Sequence, residues 1–316
     1  MGIQNYLSQI MNAVYGKDVR KAIHDAIYQC YEDGKSGELD LVAREGVAEV
    51  KANIANPTLL INGDFRNVVN QRGQTTYTTS NATKIYTIDR WYTKGLNVTV
   101  NSGFITVENA TTSNWSLIQV FEKALPNEAY TLSIKVKSVT GNATLKVGYG
   151  DSTESAPIAL SVGTNKMTIN GMVYTVNLTL TPNAVVEVEW IKLEHGTIAT
   201  PLAPRLYAEE LALCQRYFEK MPYVIARVIV SSVSLITSDY TSTYCRVLNG
   251  SFAVTKRAAP KVTVKGKVLN INPTELDYKV AVASVDTHSI YTIQFDTPTS
   301  YYDLTIKDVW VDAEIY

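Results

Sequence analysis

The chain is poor in the residues on which many site chemistries depend. Its 316 residues include three cysteines, Cys30, Cys214 and Cys245, and three histidines, His24, His195 and His288. The cysteines are dispersed and none belongs to a CxxC pair, so no disulfide framework is implied, and they read as small buried hydrophobes. The histidines lie in three different segments, each without a Cys, a second His or paired carboxylates at ligand spacing, so no metal site is expected. No run of 18 apolar residues occurs, and Met1-Gly-Ile-Gln-Asn-Tyr has neither a basic nor an apolar leader region; neither membrane insertion nor a secretion signal is expected. A surplus of one charge is missing too. The 29 Lys and Arg stand against 30 Asp and Glu, a formal net charge of -1, which argues against nucleic acid or an anionic membrane as partner. GxSxG elbows, GxxxxGK[ST] phosphate loops and GxGxxG turns are also missing, so acyl-transfer and nucleotide chemistry lose their usual markers and no cofactor is expected.

What is present is β-forming. Only 19% of residues are charged while 46% are hydrophobic, and Thr, Val, Asn, Ser and Tyr crowd the middle and end of the chain. Tyr outnumbers Phe 20 to 6, an excess of rings that suit a half-exposed binding surface or a subunit interface equally well. At roughly 150 residues per domain the length suggests two domains with a small extra module. N-x-[ST] triplets at Asn81, Asn97, Asn109, Asn114, Asn142, Asn177 and Asn249 are what abundant Asn, Ser and Thr produce by chance, since no secretion signal accompanies them.

The periodicity divides the chain into four segments. Residues 1–56 are helical: Val19, Ala22, Ile23, Ala26, Ile27 and Cys30 form one stripe from Asp18 until Gly34, and a second helix should begin near Ser36 and carry Leu39, Val42, Val47, Val50 and Ile54. Such a narrow apolar stripe needs partners, and identical chains are the simplest supply. Residues 57–203 carry short β runs at Thr83–Ile88, Leu96–Val100, Phe104–Val107, Trp115–Val120, Tyr130–Val136, Ala143–Gly148, Lys166–Ile169, Met172–Leu180 and Val185–Leu193, the spacing of a sandwich or jelly roll. Residues 204–222 form a helical linker, overlapping a helical pattern from Pro201 to Glu219 that Met221-Pro222 closes. Residues 223–316 return to β patterning, with runs at Val224–Val230, Ser251–Thr255, Lys261–Val264, Lys279–Val285, Ile290–Phe295 and Leu304–Ile315. The fold class expected is therefore mainly β: a short N-terminal helical segment, then two β-sandwich or jelly-roll domains joined by a short helix.

No catalytic residues stand out, and an enzyme is not expected. A glycosidase is the hardest class to exclude, because its two carboxylates can be far apart in sequence; Asp89, Asp151, Glu154, Asp239, Asp296 and Asp303 are available, each also a natural turn residue or solvated strand end. Sugar binding asks for flat aromatic faces together with amides, carboxylates and Arg. Tyr92, Trp115, Tyr240, Tyr301 and Tyr302 are the candidate ligand-binding residues, whereas Trp91 and Trp190 read as core rings.

A family resemblance emerges from motifs that follow one another along the chain. Ile10-Met-Asn-Ala-Val-Tyr-Gly-Lys-Asp-Val-Arg-Lys-Ala-Ile-His-Asp-Ala-Ile, with Tyr15-Gly-Lys-Asp-Val-Arg at its centre, resembles the N-terminal attachment motif of tail and baseplate proteins from phages and prophages of Gram-positive bacteria. Leu59-Leu-Ile-Asn-Gly-Asp-Phe-Arg, Asn70-Gln-Arg-Gly and Ile88-Asp-Arg-Trp are similar to the opening of the carbohydrate-binding-like jelly roll found in tail fibres. Trp190-Ile-Lys-Leu-Glu-His-Gly, Ala199-Thr-Pro and Glu210-Leu-Ala-Leu-Cys-Gln-Arg-Tyr-Phe are similar to its closing element, and Phe252-Ala-Val-Thr-Lys-Arg-Ala-Ala-Pro with Val311-Asp-Ala-Glu resembles the distal domain that often follows. The resemblance implies a receptor-binding structural protein of the virion, made in the bacterial host cytoplasm and forming a homotrimer, whose partners are other tail or baseplate proteins and a bacterial cell-surface saccharide. The alternatives are a tail-associated polysaccharide depolymerase and a purely structural tail component. These motifs read as folding signatures more than as a sugar pocket, with Asn62-Gly63-Asp64 suited to a tight turn and Asp89-Arg90 suited to a buried or semi-buried pair.

Overall fold

The computed structural model describes residues 5, 8, 16–36, 55–79, 83–150, 153–230, 243–270, 274–276, 280–295 and 303–315. It is mainly β, with two sheets and two described α-helices. Its internal contacts separate Met1–Asn56 from Pro57–Tyr316.

In the first unit, helix α1 spans Gly16–Ser36. It passes through Gly34, where the sequence suggested a stop. One glycine in a last turn costs about 1 kcal/mol relative to Ala but leaves the hydrogen-bond ladder intact. Ala22 is buried, while Ile23, Ile27, Tyr28 and Tyr31 are exposed. Lys21 and Asp25 pair across one turn at 2.6 Å. The second helix expected from Ser36 lies outside the described residues.

The second unit contains, in order, β1 (Thr76–Tyr77), β2 (Ile85–Tyr86), β3 (Tyr92–Thr93), β4 (Asn97–Asn101), β5 (Phe104–Glu108), β6 (Trp115–Thr140), β7 (Ala143–Gly148), β8 (Ile158–Ala159), β9 (Gly163–Leu180) and β10 (Val185–His195). Helix α2 (Tyr207–Gln215) follows, then β11 (Phe218–Val230), β12 (Thr243–Val247), β13 (Lys261–Val264), β14 (Val268–Asn270), β15 (Glu275–Leu276), β16 (Val280–Val285), β17 (Ile290–Phe295) and β18 (Asp303–Asp312). The first sheet runs β1-β4-β5-β10-β6-β9-β7-β8, with β3 on β6 and β2 on β3; the second runs β15-β14-β18-β11-β12-β17-β16, with β13 on β18.

The first sheet is a sandwich because two of its strands are long enough to serve both layers. Tyr130–Thr140 of β6 pairs with β10, while Trp115–Val120 of the same strand pairs with Leu180–Thr175 of β9, and the ladder shifts register between Val120 and Glu128. Both layers turn their inner residues, including Val98, Ile105, Ile134, Leu117, Leu145 and Leu178, into one core. Two pairs of sequence runs thus merge into single strands.

Other expectations need correction. The helical pattern from Pro201 to Glu219 yields a helix over Tyr207–Gln215 alone, and Phe218 already opens β11, so Met221-Pro222 lies within a strand. The partner β18 explains this override, since Phe218, Glu219, Lys220 and Met221 pair with Asp312, Val311, Trp310 and Val309. Ser251–Thr255 contributes one isolated bridge from Ser251 to Ser289 and no strand.

The resemblance motifs are structural joints. Asn62, with left-handed φ of 56°, donates from Nδ2 to the carbonyls of Val69 and Asp89 and accepts from the Trp91 indole through its own carbonyl. Lys192 and Glu194 are fully buried; the ammonium donates to Thr200 Oγ1 at 2.7 Å and meets Glu194 at 3.0 Å. Such burial is tolerated because the charges are paired and hydrogen-bonded. Asp89 and Arg90 are both buried but do not pair with each other. Asp89 meets Arg72 at 3.1 Å, and Arg90 meets Glu314 at 2.7 Å. Glu314 belongs to the tail after β18, which also receives Arg257 on the Ala313 and Glu314 carbonyls and Tyr86 on the Ile315 carbonyl. The C-terminal segment is therefore fastened to the first sheet. Two stacked cations, Arg72 over Phe218 at 3.8 Å and Arg90 over Tyr217 at 3.5 Å, complete the joint.

Candidate functional site

Alternation along β6, β9 and β7 separates an inner, largely apolar face from a more polar outer one. Leu117, Leu178 and Leu145 are cross-strand neighbours pointing inward, as are Gln119, Val176 and Val147. One residue along, the registers assemble three rows on the outer face: Ser116–Thr179–Thr144, Ile118–Asn177–Lys146 and Val120–Thr175–Gly148. The middle row continues through Tyr92 of β3, paired with Ile118, to Tyr86 of β2.

Asn177 lies at the centre of this face and is only 5% exposed. Its Nδ2 donates to Glu154 Oε1 at 3.2 Å, which fixes the direction of the amide, and its buried Oδ1 has no hydrogen-bond partner. Lys146 pairs with the other oxygen of Glu154. Glu154 reaches the sheet through a bridge to Gly148. Glycine is needed at 148, because a Cβ there would stand 2.5 Å from Thr175 Oγ1 and 3.8 Å from Asn177 Nδ2. At the other end, the Tyr92 ring lies 5.5 Å from that of Tyr86 and carries the Lys84 ammonium 3.8 Å from its centroid. Burial pushes the Tyr92 hydroxyl above its ordinary pKa, and the neighbouring Tyr174 adds to the effect. The face thus joins an aromatic surface, an amide with an unused acceptor, a carboxylate and a row of hydroxyls. This is an inventory suited to binding a polyhydroxylated ligand.

Of the candidate ligand-binding residues, Tyr92 belongs to this face. Trp115 does not: it shares the inner face of β6 with Leu117 and packs on the core, flush against Gly95. Tyr240, Tyr301 and Tyr302 lie outside the described residues. The available carboxylates are engaged separately, Asp89 by Arg72, Glu154 by Lys146 and Asp303 by Arg227, while Asp151, Asp239 and Asp296 lie outside the described residues. Among the described residues no group of three His, Cys, Asp or Glu side chains is placed to hold a metal ion. Asn177, Lys146 and Thr175 escaped the sequence reading. Their signal was present as the polar half of the alternation in Tyr174–Leu180 and Ala143–Gly148, and Asn177 drew notice only as a chance sequon.

No protein-family model matches the chain, and no curated protein is similar to it. Several solved structures are similar to parts of the chain. A CBM4 domain aligns over 34% of this chain and 95% of its own at 12% identity, with a TM-score of 0.28. The N-terminal cellulose-binding domain of Cellulomonas fimi β-1,4-glucanase C aligns over 46% of this chain and 100% of its own at 11% identity, with a TM-score of 0.27. Discoidin II of Dictyostelium discoideum aligns over 68% and 84% at 14% identity, with a TM-score of 0.19.

Proposed function

We propose that this chain is a non-catalytic receptor-binding protein of a phage or prophage virion, which holds a bacterial cell-surface saccharide on the outer face of β3, β6, β9 and β7. The observation that carries the saccharide reading is the Asn177 amide, buried at mid-face with an unused acceptor between the Tyr92 ring and the Lys146–Glu154 pair. A buried acceptor without a partner costs about 1–3 kcal/mol, and a ligand hydroxyl supplies the missing donor. Tyr92 offers a ring to the apolar side of a pyranose. Attachment to other tail or baseplate proteins falls to the N-terminal segment, a reading supported by its resemblance to tail attachment motifs and by the apolar side chains that α1 exposes. The protein is made in the host cytoplasm and works on the virion.

Fluorescently labelled full-length chain, mixed with isolated cell walls from a panel of Gram-positive bacteria, tests this reading. Binding to some walls is expected, lost in Asn177→Ala and in Tyr92→Ala, with thermal melting checking that each variant is still folded at the binding temperature. Binding that persists in both variants would move the site elsewhere. Release of reducing ends during the incubation would favour the depolymerase instead.

A further inference from the structure

The geometry points to an uncharged, hydroxyl-rich sugar as the occupant of this face and against one carrying a carboxylate, sulfate or phosphate; the inference rests on the saccharide reading above. Three features carry it. The first is the unpartnered Asn177 Oδ1, which can only accept. A sugar hydroxyl donates to it, whereas an ionised acidic group at that same position brings acceptors alone and would leave it unpaired; the anionic sugar's other hydroxyls could still serve, so the charge preference rests mainly on the Lys146–Glu154 ion pair. The second is that the cation on the middle row is already occupied. Lys146 ends on one oxygen of Glu154 while Asn177 Nδ2 donates to the other, so the cluster is a closed ion pair with a fixed carboxylate. An anionic ligand that drew Lys146 away would leave Glu154 uncompensated beside it, and like charges so juxtaposed repel. The third is the chemistry of the flanking rows, where Ser116, Thr144, Thr175 and Thr179 supply neutral hydroxyls that match hydroxyl ligands. At the far end of the face, Lys84 is not available as an anion anchor, since it donates to the Ile315 carbonyl and lies on the Tyr92 ring.

The test is a glycan array in which each neutral oligosaccharide stands beside a counterpart carrying one uronate, sulfate or phosphate, probed with full-length wild type and with Glu154→Gln. Glu154 is 44% exposed, so the glutamine variant is expected to fold as the wild type does, checked by thermal melting. Wild type should capture neutral members at least about tenfold more tightly than their anionic counterparts. Glu154→Gln removes the carboxylate and frees Lys146, and should narrow that gap several-fold. Capture of anionic members as tight as, or tighter than, their neutral counterparts would overturn the charge preference and leave the saccharide reading standing. An unchanged gap in Glu154→Gln would overturn the role given to the ion pair. Capture of no glycan by wild type would overturn the saccharide reading and this inference with it.

Discussion

Arg90 has a left-handed backbone, φ 71°, that a long side chain adopts only when its surroundings compel it. Here Glu314 and the Val120 carbonyl hold the guanidinium, and the Tyr217 ring lies beneath it. Its neighbour Asp89 is buried against Arg72 and accepts from the Gln71 amide at 2.7 Å; burial outweighs both and pushes the carboxyl up to about 7. The other charged groups around it are Glu314, which acts in the same direction, and Arg90, which is paired with Glu314. Between the ordinary value of 3.8 and about 7, the folded chain retains a proton that the unfolded chain has released, so this carboxyl contributes less stability as pH rises through that window. Thermal melts from pH 4 to pH 8 should show a decline in Asp89→Asn smaller than that in wild type; parallel curves would mean that Asp89 ionises normally in the fold. The sequence hinted that Asp89 and Arg90 are buried but assigned them to each other. Arg90 takes its partner 224 positions away, a distance that no local spacing encodes.

At the scale of elements, the sequence shows which stretches are β better than where strands begin and end. Pro126 and Asn127 look like strand breakers, yet β6 runs through them, because the ladder to β9 shifts at Leu125 and again before Glu128 and asks for no donor from the proline. Periodicity also identifies the inner face of β6 and β9 while remaining silent on which outer residues meet across strands. Tyr92, Asn177 and Lys146 come from three parts of the chain and are joined only by register. Trp115 illustrates the opposite error, an aromatic that looks available and is packed. The ring depends on Gly95, where an added Cβ would stand 2.4 Å from the indole. Gly95→Ala should therefore displace the ring and destabilise the sandwich by about 1–3 kcal/mol, read as a lower urea midpoint with a shift in tryptophan emission. An unchanged midpoint and spectrum would show that the ring is not seated there.

For the molecule as a whole, the mainly β architecture, the two sheets and the helix between them were legible from composition and period. The fastening of the C-terminal tail to the first sheet was not, since it depends on buried pairs such as Arg90–Glu314 that only the assembled fold brings together. The proposed assembly would use the exposed apolar side chains of α1, Ile23, Ile27, Tyr28 and Tyr31, which identical copies can cover. If the proposed reading holds, light scattering on the full-length chain is expected to give about three times 34.9 kDa, whereas a monomer at working concentrations would contradict self-association through α1. On the proposed reading a trimer would multiply weak sites, so that millimolar affinity for one saccharide unit would suffice. Saccharide binding on the outer face of β3, β6, β9 and β7 is tested most directly by the dissociation constant of Asn177→Ala, by calorimetry, for an oligosaccharide that the wild type binds. Loss of the central amide should weaken binding by about tenfold or more with the melting temperature preserved. An unchanged constant would contradict the placement of the site on this face.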